Sequence, residues 1–124
     1  MARVSIISVN YKEYEASRRF LQACLNQTHE DLEIIMIDNE FEREKFIQLY
    51  QEFPEVQIIA DVKNNGFAGG NNLGLQVASG DYLFFLNNDT VPPPELVDHM
   101  LQGFQEFEDA GGISPKILYI QDEN

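Results

Sequence analysis

The stretch that decides the fold is Tyr82-Leu83-Phe84-Phe85-Leu86-Asn87-Asn88-Asp89-Thr90, an apolar run that stops abruptly on two amides and a carboxylate. Five large apolar residues in succession predict a strand that is buried on both faces, as in the middle of a parallel sheet covered by helices. Polar residues at the carboxyl end of such a strand lie where open α/β sheets bind their ligands. The same residues also favour a simple turn, so this stretch alone leaves both interpretations open.

Strand and helix patterns alternate along the whole chain. Short apolar or β-branched runs predict strands over residues 4–9, 32–37, 56–60 and 82–86. Apolar residues at helical spacing predict helices over residues 13–26, 43–53, 71–79 and 95–108. This alternation predicts an α/β fold with a mostly parallel sheet of strand order 3-2-1-4, helices on both faces and right-handed crossovers.

Several side chains are predicted to build the core of this fold. Cys24 is interpreted as a core residue of the first helix, and Gly80 is predicted to end the third helix as a left-handed cap. The other predicted core residues include Phe46, Ile47, Leu49, Tyr50, Phe53, Phe84, Phe85, Phe104 and Phe107. A metal role is not favoured for His29 or His99, because neither has a cysteine or histidine partner nearby in the sequence.

Polar segments follow all four predicted strands, at residues 10–11, 38–39, 64–70 and 87–89. In a parallel sheet the carboxyl ends of the strands share one edge, and a crevice opens where the strand order reverses between strands one and four. The third segment is rich in glycine, which allows positive φ and a close approach of backbone N–H groups to a ligand. The sequence therefore predicts a functional crevice at this edge rather than four unrelated turns.

Composition limits the class of protein. The chain has 124 residues with 44% hydrophobic content, which predicts one domain spanning residues 1–124 with a single core. The single cysteine excludes an internal disulfide and a cysteine-rich metal site, and it favours a reducing compartment. No apolar run is long enough for a membrane span, and the first residues do not resemble a signal peptide. We therefore expect a cytoplasmic protein.

The net charge of −13 argues against nucleic-acid binding, because phosphate neutralisation needs clustered lysine and arginine. After Lys63, the only basic residue in the sequence is Lys116. An anionic ligand held by the second half of the chain would therefore need a divalent cation that bridges carboxylate and phosphate.

Four motifs together resemble the amino-terminal half of a family-2 inverting glycosyltransferase of the rhamnosyltransferase-like subgroup. They are Val4 to Tyr11, Ile35 to Asn39, Asn65 to Asn72 and Leu86 to Thr90, in natural order over nearly the whole chain. The resemblance implies a GT-A fold, a nucleoside-diphosphate sugar donor, Mn²⁺ or Mg²⁺ as cofactor, and a glycan or lipid-linked acceptor. In the full-length protein it implies sugar transfer with inversion. It also implies a cytoplasmic location, peripheral at the inner face of the membrane in the full-length protein.

The resemblance also implies roles for single residues. Asn10 and Tyr11 match residues that line the nucleotide base and ribose. Asp38 matches an acid that accepts a hydrogen bond from the base ring N–H, which suits an ionised carboxylate. The segment Asn65 to Gly70 is implied to lie along the nucleotide and its sugar, with Asn65, Gly66 and Gly70 as its binding residues.

The segment Asn87-Asn88-Asp89 matches the Asp-X-Asp motif of the family. Asn87 and Asn88 are implied to contact the nucleotide, and Asp89 is implied to bind the metal that neutralises the diphosphate leaving group. Asn87 departs from the usual leading aspartate and removes one negative charge near the cation. Glu40-Phe41-Glu42 departs as well, because the family usually has small residues there.

The resemblance leaves the catalytic residue unassigned. Inverting transfer needs a general base for the acceptor hydroxyl, and in the family this carboxylate comes from a later segment, so we expect it beyond Asn124 in a longer protein. An extended segment predicted at 113–120 would then leave an unpaired edge that invites self-association. The alternatives are a catalytically inactive α/β interaction module and, less favoured, a nucleotidyltransferase-like protein, which lacks support because no basic glycine-rich loop follows strand one.

Overall fold

The computed structural model describes residues 1–39, 42–63 and 65–116. Four strands alternate with four helices: β1 Val4–Asn10, α1 Tyr14–Leu25, β2 Leu32–Asp38, α2 Arg43–Glu52, β3 Gln57–Ala60, α3 Gly66–Val77, β4 Tyr82–Phe85 and α4 Leu96–Glu106. The strands form one parallel sheet in the order β3-β2-β1-β4. The predicted fold class and strand order are confirmed.

The two faces of the sheet are covered by different helices. Alternate side chains of a strand point to opposite faces, so Ile6 packs with Phe20 of α1 in the larger core, where Leu49 of α2 and Val97 of α4 also lie. Ile7 lies in a smaller cluster on the other face, against which Leu73 of α3 packs. All seven residues of β1 are buried, because this strand is central and covered on both sides.

The prediction that the fourth strand is buried on both faces is wrong. Tyr82 and Phe84 pack against the larger core, but Leu83 is 42% exposed and Phe85 is 48% exposed. In the described part of the chain β4 pairs only with β1, and α3 packs over the β1–β2 side of the sheet. An uninterrupted apolar run cannot show that one of its faces lacks a covering helix.

The third helix also differs from the prediction. It begins at Gly66, five residues before the expected start at Asn71, so most of the predicted glycine-rich loop is its first turn. Gly66 has φ of +78°, and it is the only glycine with positive φ among the described residues, which makes the predicted left-handed cap at Gly80 wrong. Gly80 is required for space instead, because a Cβ there would lie 2.5 Å from the Ser5 hydroxyl oxygen and 2.6 Å from the Ser5 backbone nitrogen.

Other predicted core positions have mixed outcomes. Cys24 is fully buried as expected, and this burial raises the pKa of its thiol to about 12. Ile47, Tyr50 and Phe107 are exposed, so their assignment to the core is wrong. Helical spacing identifies which face of a helix is apolar, but it does not show how much of that face is buried. The extended segment predicted at 113–120 has no strand in residues 113–116, and its remainder lies outside the described residues.

None of the helices in residues 1–39, 42–63 and 65–116 combines the length and apolarity needed to cross a membrane.

Candidate functional site

The polar segments that follow β1, β2 and β4 meet the first turn of α3 at one edge of the sheet, as predicted. They surround a cavity of about 720 Å³, which we call the edge pocket. Its described lining residues are Val9, Tyr11, Glu13, Asn39, Gly66, Phe67, Asn87, Asn88 and Asp89. This is the carboxyl edge, where α/β sheets bind ligands because the loops that leave the strands diverge.

Asp38 lies beneath the edge pocket rather than in its wall. It ends β2, pairs in register with Asn10 at the end of β1, and is fully buried together with it. The Asn10 Nδ2 donates to Asp38 Oδ1 at 3.1 Å, and the Tyr14 hydroxyl donates to Asp38 Oδ2 at 2.7 Å. Burial raises the pKa of Tyr14, and the hydrogen bond to Asp38 raises it further, so the phenol stays protonated and keeps donating.

The same hydrogen-bonded group continues toward β4. Ser17 Oγ donates to Asn10 Oδ1 at 2.7 Å, and Asn88 Nδ2 donates to Ser17 Oγ at 2.9 Å and lies 3.3 Å from Asn10 Oδ1. We call Asn10, Tyr14, Ser17, Asp38 and Asn88 the inner network. It joins the ends of β1 and β2, helix α1 and the loop after β4, and Asn88 is its one member that also lines the edge pocket.

Asn39 holds the start of α3 against the end of β2. Its Nδ2 donates to the Gly66 carbonyl at 2.7 Å, which fixes the orientation of the amide, and Asn39 itself is only 3% exposed. A Cβ at Gly70 would lie 3.2 Å from both polar atoms of this amide, so the helix approaches closely because Gly70 has no side chain. The Asn39 Oδ1 has no hydrogen-bond partner among the described residues.

Asp61 fixes the turn that enters α3 and was not singled out from the sequence. Its Oδ2 accepts from the Asn65 backbone N–H at 2.9 Å, and its Oδ1 accepts from Asn65 Nδ2 at 3.0 Å. The predicted site residue Asn65 is therefore directed toward Asp61, where it shapes the start of α3. The signal was available, because Asp61 directly follows a predicted strand just as Asp38 does.

The edge pocket is rich in oxygen ligands and lacks basic side chains. Glu13 and Asp89 supply carboxylates, three asparagines supply amides, and no lysine or arginine is among the described lining residues. Nearby, Lys12 has φ of +62° and its Nζ lies 5.5 Å from the ring centroid of Tyr11. Within the described ranges, no group of three or more histidine, cysteine or acidic side chains is placed to hold a metal ion by itself.

The predicted site residues thus fall into two groups. Tyr11, Gly66 and Asn87 to Asp89 line the edge pocket. The members that lie behind this wall or support it are Asn10, Asp38, Asn65 and Gly70. Glu13 and Asn39 line the pocket without having been assigned a role from the sequence, whereas Phe67 belongs to the segment 65–70 implied to lie along the nucleotide. The sheet topology brings all of these residues to one edge. Their burial then distinguishes the residues that line the pocket from those that support it from behind.

Sequence comparison places the chain in a known family. The family described as glycosyl transferase family 2 matches residues 5–124. The chain belongs to glycosyl transferase family 2. One relative, an uncharacterized glycosyltransferase of Nostoc sp., is 29% identical over 112 residues, covering 88% of this chain and 35% of the relative. This family-2 chain therefore spans about a third of the length of that relative.

Solved structures share the fold of this family-2 chain. S. aureus TarS 1-349 superposes with a TM-score of 0.75 at 15% identity, covering 91% of this chain and 38% of TarS. Mannosyltransferase PcManGT from Pyrobaculum calidifontis, solved in complex with GDP-Man and Mn²⁺, superposes with a TM-score of 0.69 at 17% identity. That match covers 89% of this chain and 33% of PcManGT. The parallel sheet and its helices are those of GT-A glycosyltransferases.

Proposed function

We propose that this chain binds the nucleoside-diphosphate sugar donor of a glycosyltransferase that transfers the sugar to an acceptor with inversion. The observation that carries the proposal is the edge pocket, where the four motifs of the family resemblance meet at the carboxyl edge of the sheet. Membership of glycosyl transferase family 2 supports the reaction class. The complex of TarS with UDP-GlcNAc and that of PcManGT with GDP-Man support a nucleotide-sugar donor.

The nucleotide lies between the exposed rings of Tyr11 and Phe67 in this proposal. Both side chains line the edge pocket, and an exposed aromatic ring offers a flat apolar surface to a base. Asn10 and Asp38 act from beneath, with Asp38 as the acceptor for the base ring N–H. The hydrogen bonds that Asp38 accepts from Asn10 and Tyr14 hold its carboxylate in place beneath the pocket. Gly66 and Gly70 let the backbone of α3 approach the sugar.

Asp89, with Asn87 beside it, would hold a divalent cation, Mn²⁺ or Mg²⁺. The donor set fits, because carboxylate and amide oxygens are preferred ligands and Mg²⁺ is commonly held by one or two carboxylates together with substrate phosphates. When bound, the cation neutralises the diphosphate leaving group. The residues of this chain orient the donor, and the negative charge of Asp89 attracts the cation to the pocket mouth. The Mn²⁺ in the PcManGT complex supports this assignment.

The acceptor in this proposal is a glycan or a lipid-linked glycan, and the enzyme belongs to the rhamnosyltransferase-like subgroup. The motifs Leu86 to Thr90 and Asn65 to Asn72 support the subgroup. We assign no general base among the residues described, and we propose that it lies in a segment following Asn124. A cytoplasmic location, where nucleotide sugars are available, completes the proposal.

Calorimetric titration with UDP-, GDP- and dTDP-sugars tests the donor assignment. We expect binding of at least one donor with Mn²⁺ and its loss on addition of a chelator. Asp89→Ala should abolish the metal dependence, because it removes the carboxylate from the pocket mouth. Asp109→Ala is the matched control, since it removes an acid that is also exposed and does not line the edge pocket. We expect the control to bind like the parent protein.

Two outcomes would contradict this function. Absence of metal-dependent binding by all three donors would favour the interaction module over the transferase. If binding by the parent and by Asp89→Ala depends equally on the metal, Asp89 is not a ligand of the metal. A longer parent chain with a carboxylate after Asn124 would support catalysis and can be checked from the gene.

We further propose that this chain self-associates through an unpaired edge strand, and we assign this edge to β4 instead of the segment predicted at 113–120. Leu83 and Phe85 are exposed on this strand, and its outer edge is unpaired in the described part of the chain. Light scattering after size exclusion should show a concentration-dependent dimer. Phe85→Lys should shift the equilibrium to the monomer, since a charge opposes edge pairing, whereas a strictly monomeric parent protein would refute the proposal.

A further inference from the structure

Ser17 is a buried side chain of α1 that contacts two residues of the proposed donor site without lining the edge pocket. It is fully buried, and it lies on the helix face that packs against the end of β1. Its hydroxyl donates to Asn10 Oδ1 at 2.7 Å and accepts from Asn88 Nδ2 at 2.9 Å. A hydroxyl can fill both roles at once, which no apolar residue of similar size can do.

The bond to Ser17 turns the Asn88 side chain inward, and Asn88 immediately precedes Asp89. On the other side of Asp89, the Thr90 hydroxyl donates to the Asn87 carbonyl at 2.7 Å, and the Thr90 backbone N–H donates to the same carbonyl at 3.3 Å. The loop is therefore held both before and after Asp89. This leaves Asp89 itself exposed at the mouth of the edge pocket.

The same serine links this loop to the base-recognition acid. Ser17 bonds to Asn10, and Asn10 bonds through its Nδ2 to Asp38. Asn10 is oriented by both contacts, because its amide nitrogen must face Asp38 while its oxygen faces Ser17 and Asn88. Loss of the Ser17 hydroxyl would remove the shorter of the two hydrogen bonds that Asn88 donates and one of the two constraints on Asn10.

We propose that Ser17 is a positioning residue for donor binding, which fixes the direction of Asp89 through Asn88 and couples this loop to Asp38 through Asn10. The inference rests on the proposed donor-binding function, since it assigns a task to Ser17 within that site. It predicts that the metal-dependent part of nucleotide binding depends on a side chain that touches neither nucleotide nor metal.

Ser5 offers a matched control at the opposite end of the sheet. It is also fully buried, donates to Glu33 Oε2 at 2.6 Å and accepts from the Gly80 backbone N–H at 2.8 Å. Ser5→Ala and Ser17→Ala thus each remove one buried hydroxyl that donates one hydrogen bond and accepts another. Only Ser17→Ala removes it next to the edge pocket.

The binding experiment uses UDP and GDP as probes, each titrated with and without Mn²⁺. Ser17→Ala should weaken Mn²⁺-dependent binding about tenfold, the equivalent of one hydrogen bond, while metal-free binding changes less. Ser5→Ala should bind like the parent, and Ser17→Thr should restore affinity because it keeps the hydroxyl. The double variant Ser17→Ala with Asn88→Ala should lose less affinity than the sum of the two single losses, since both substitutions break the contact between Ser17 and Asn88.

A ligand-free measurement separates this inference from the proposed function. In the ¹H–¹⁵N spectrum, the side-chain amide signals of Asn88 should shift and exchange faster with solvent in Ser17→Ala, and should stay in place in Ser5→Ala. If the parent binds neither probe while these signals shift as expected, the donor assignment fails and the control of the loop by Ser17 stands.

The inference is overturned if the Asn88 signals are unchanged in Ser17→Ala. It is also overturned if the parent binds a probe with Mn²⁺ and Ser17→Ala binds it equally well. Should Ser17→Ala fail to fold, Ser17→Thr and the Asn88→Ala variant carry the test. A Ser17→Thr protein that folds but shows the same loss of Mn²⁺ dependence as Asn88→Ala would contradict the role of the hydroxyl.

Discussion

The two ends of the parallel sheet carry polar networks of different character. At the amino edge, Glu33 accepts from the Ser5 hydroxyl at 2.6 Å and from the Ser79 backbone N–H at 2.8 Å. The guanidinium of Arg3 lies 3.8 Å from the same carboxylate and forms a salt bridge with Asp31 at 2.9 Å. We call these five residues the basal network, and it contains its own cation.

The inner network at the carboxyl edge has hydroxyl and amide donors around Asp38, and the edge pocket above it is lined by two further acids and no basic side chain among the described residues. The cation of the basal network pairs directly with its acids, whereas the lysine described at the carboxyl edge, Lys12, contacts the ring of Tyr11. The basal network stabilises the fold, because it ties the α3–β4 connection to β1 and β2. The oxygen atoms of the edge pocket fit the cation that we propose for it.

The largest expected effect tests the inner network. Asp38→Ala would leave the Asn10 amide and the Tyr14 hydroxyl buried without this acceptor. An unsatisfied buried donor costs roughly 1–3 kcal/mol, so two such donors should lower the free energy of unfolding by about twice that amount. Urea denaturation measures the change, and a loss below about 0.5 kcal/mol would show that the network relaxes around the substitution.

The next prediction concerns the close approach of Gly80 to Ser5 of the basal network. In Gly80→Ala, the new methyl group would lie 2.5 Å from the Ser5 hydroxyl oxygen and 2.8 Å from the Tyr82 carbonyl oxygen. Overpacking of this kind costs about 1–3 kcal/mol, and thermal unfolding should show a lower melting temperature. Gly111→Ala is the control, because nothing lies within 4 Å of a Cβ there. Equal melting temperatures for the two variants would contradict the assigned reason for this glycine.

A smaller effect should appear in the pH dependence of stability. Burial alone would raise the pKa of Glu33, but the hydrogen bonds from Ser5 and Ser79, together with the charge of Arg3, hold it below its ordinary value. The ionised carboxylate therefore stabilises the fold above the unfolded pKa of about 4, and this contribution is lost as pH falls through the lowered folded pKa.

Glu33→Gln removes that contribution, because the neutral amide cannot make charge-assisted hydrogen bonds. We expect the variant to be less stable than the parent by about 1 kcal/mol at pH 7 and the difference to shrink in acid. Urea denaturation from pH 7 to pH 3 measures both stabilities. A difference that grows as the pH falls would have the wrong sign for a lowered pKa.

The smallest effect on stability is expected at the pocket mouth. Asp89 is exposed, so Asp89→Ala should change the free energy of unfolding by no more than about 0.5 kcal/mol. Chemical denaturation of Asp89→Ala and Asp38→Ala in parallel measures the difference in stability directly, because both variants remove an aspartate from the same edge. A large loss in Asp89→Ala would mean that this acid supports the fold rather than a ligand.

Much of the fold and of the site location followed from local pattern. Alternating apolar runs and helical stripes predicted the parallel sheet, because parallel strands require helical crossovers of this kind. The strand order 3-2-1-4 was predicted as the common order of such folds. Polar residues after each strand predicted the pocket edge, since parallel strands all end on the same side. Asp61 was not predicted as a site residue, although it also directly follows a predicted strand.

The sequence by itself determined the layering of sheet and helices and the gathering of Tyr11, Asp38 and Asp89 at one edge, because periodicity and strand direction are properties of consecutive residues. Only the tertiary structure decided which of those residues line the pocket and which are buried beneath it. Ser17, a helix residue of ordinary appearance in the sequence, meets Asn88 across 71 positions of the chain. Such a contact depends on how α1 packs against β1 and the loop after β4, and no local pattern records that packing.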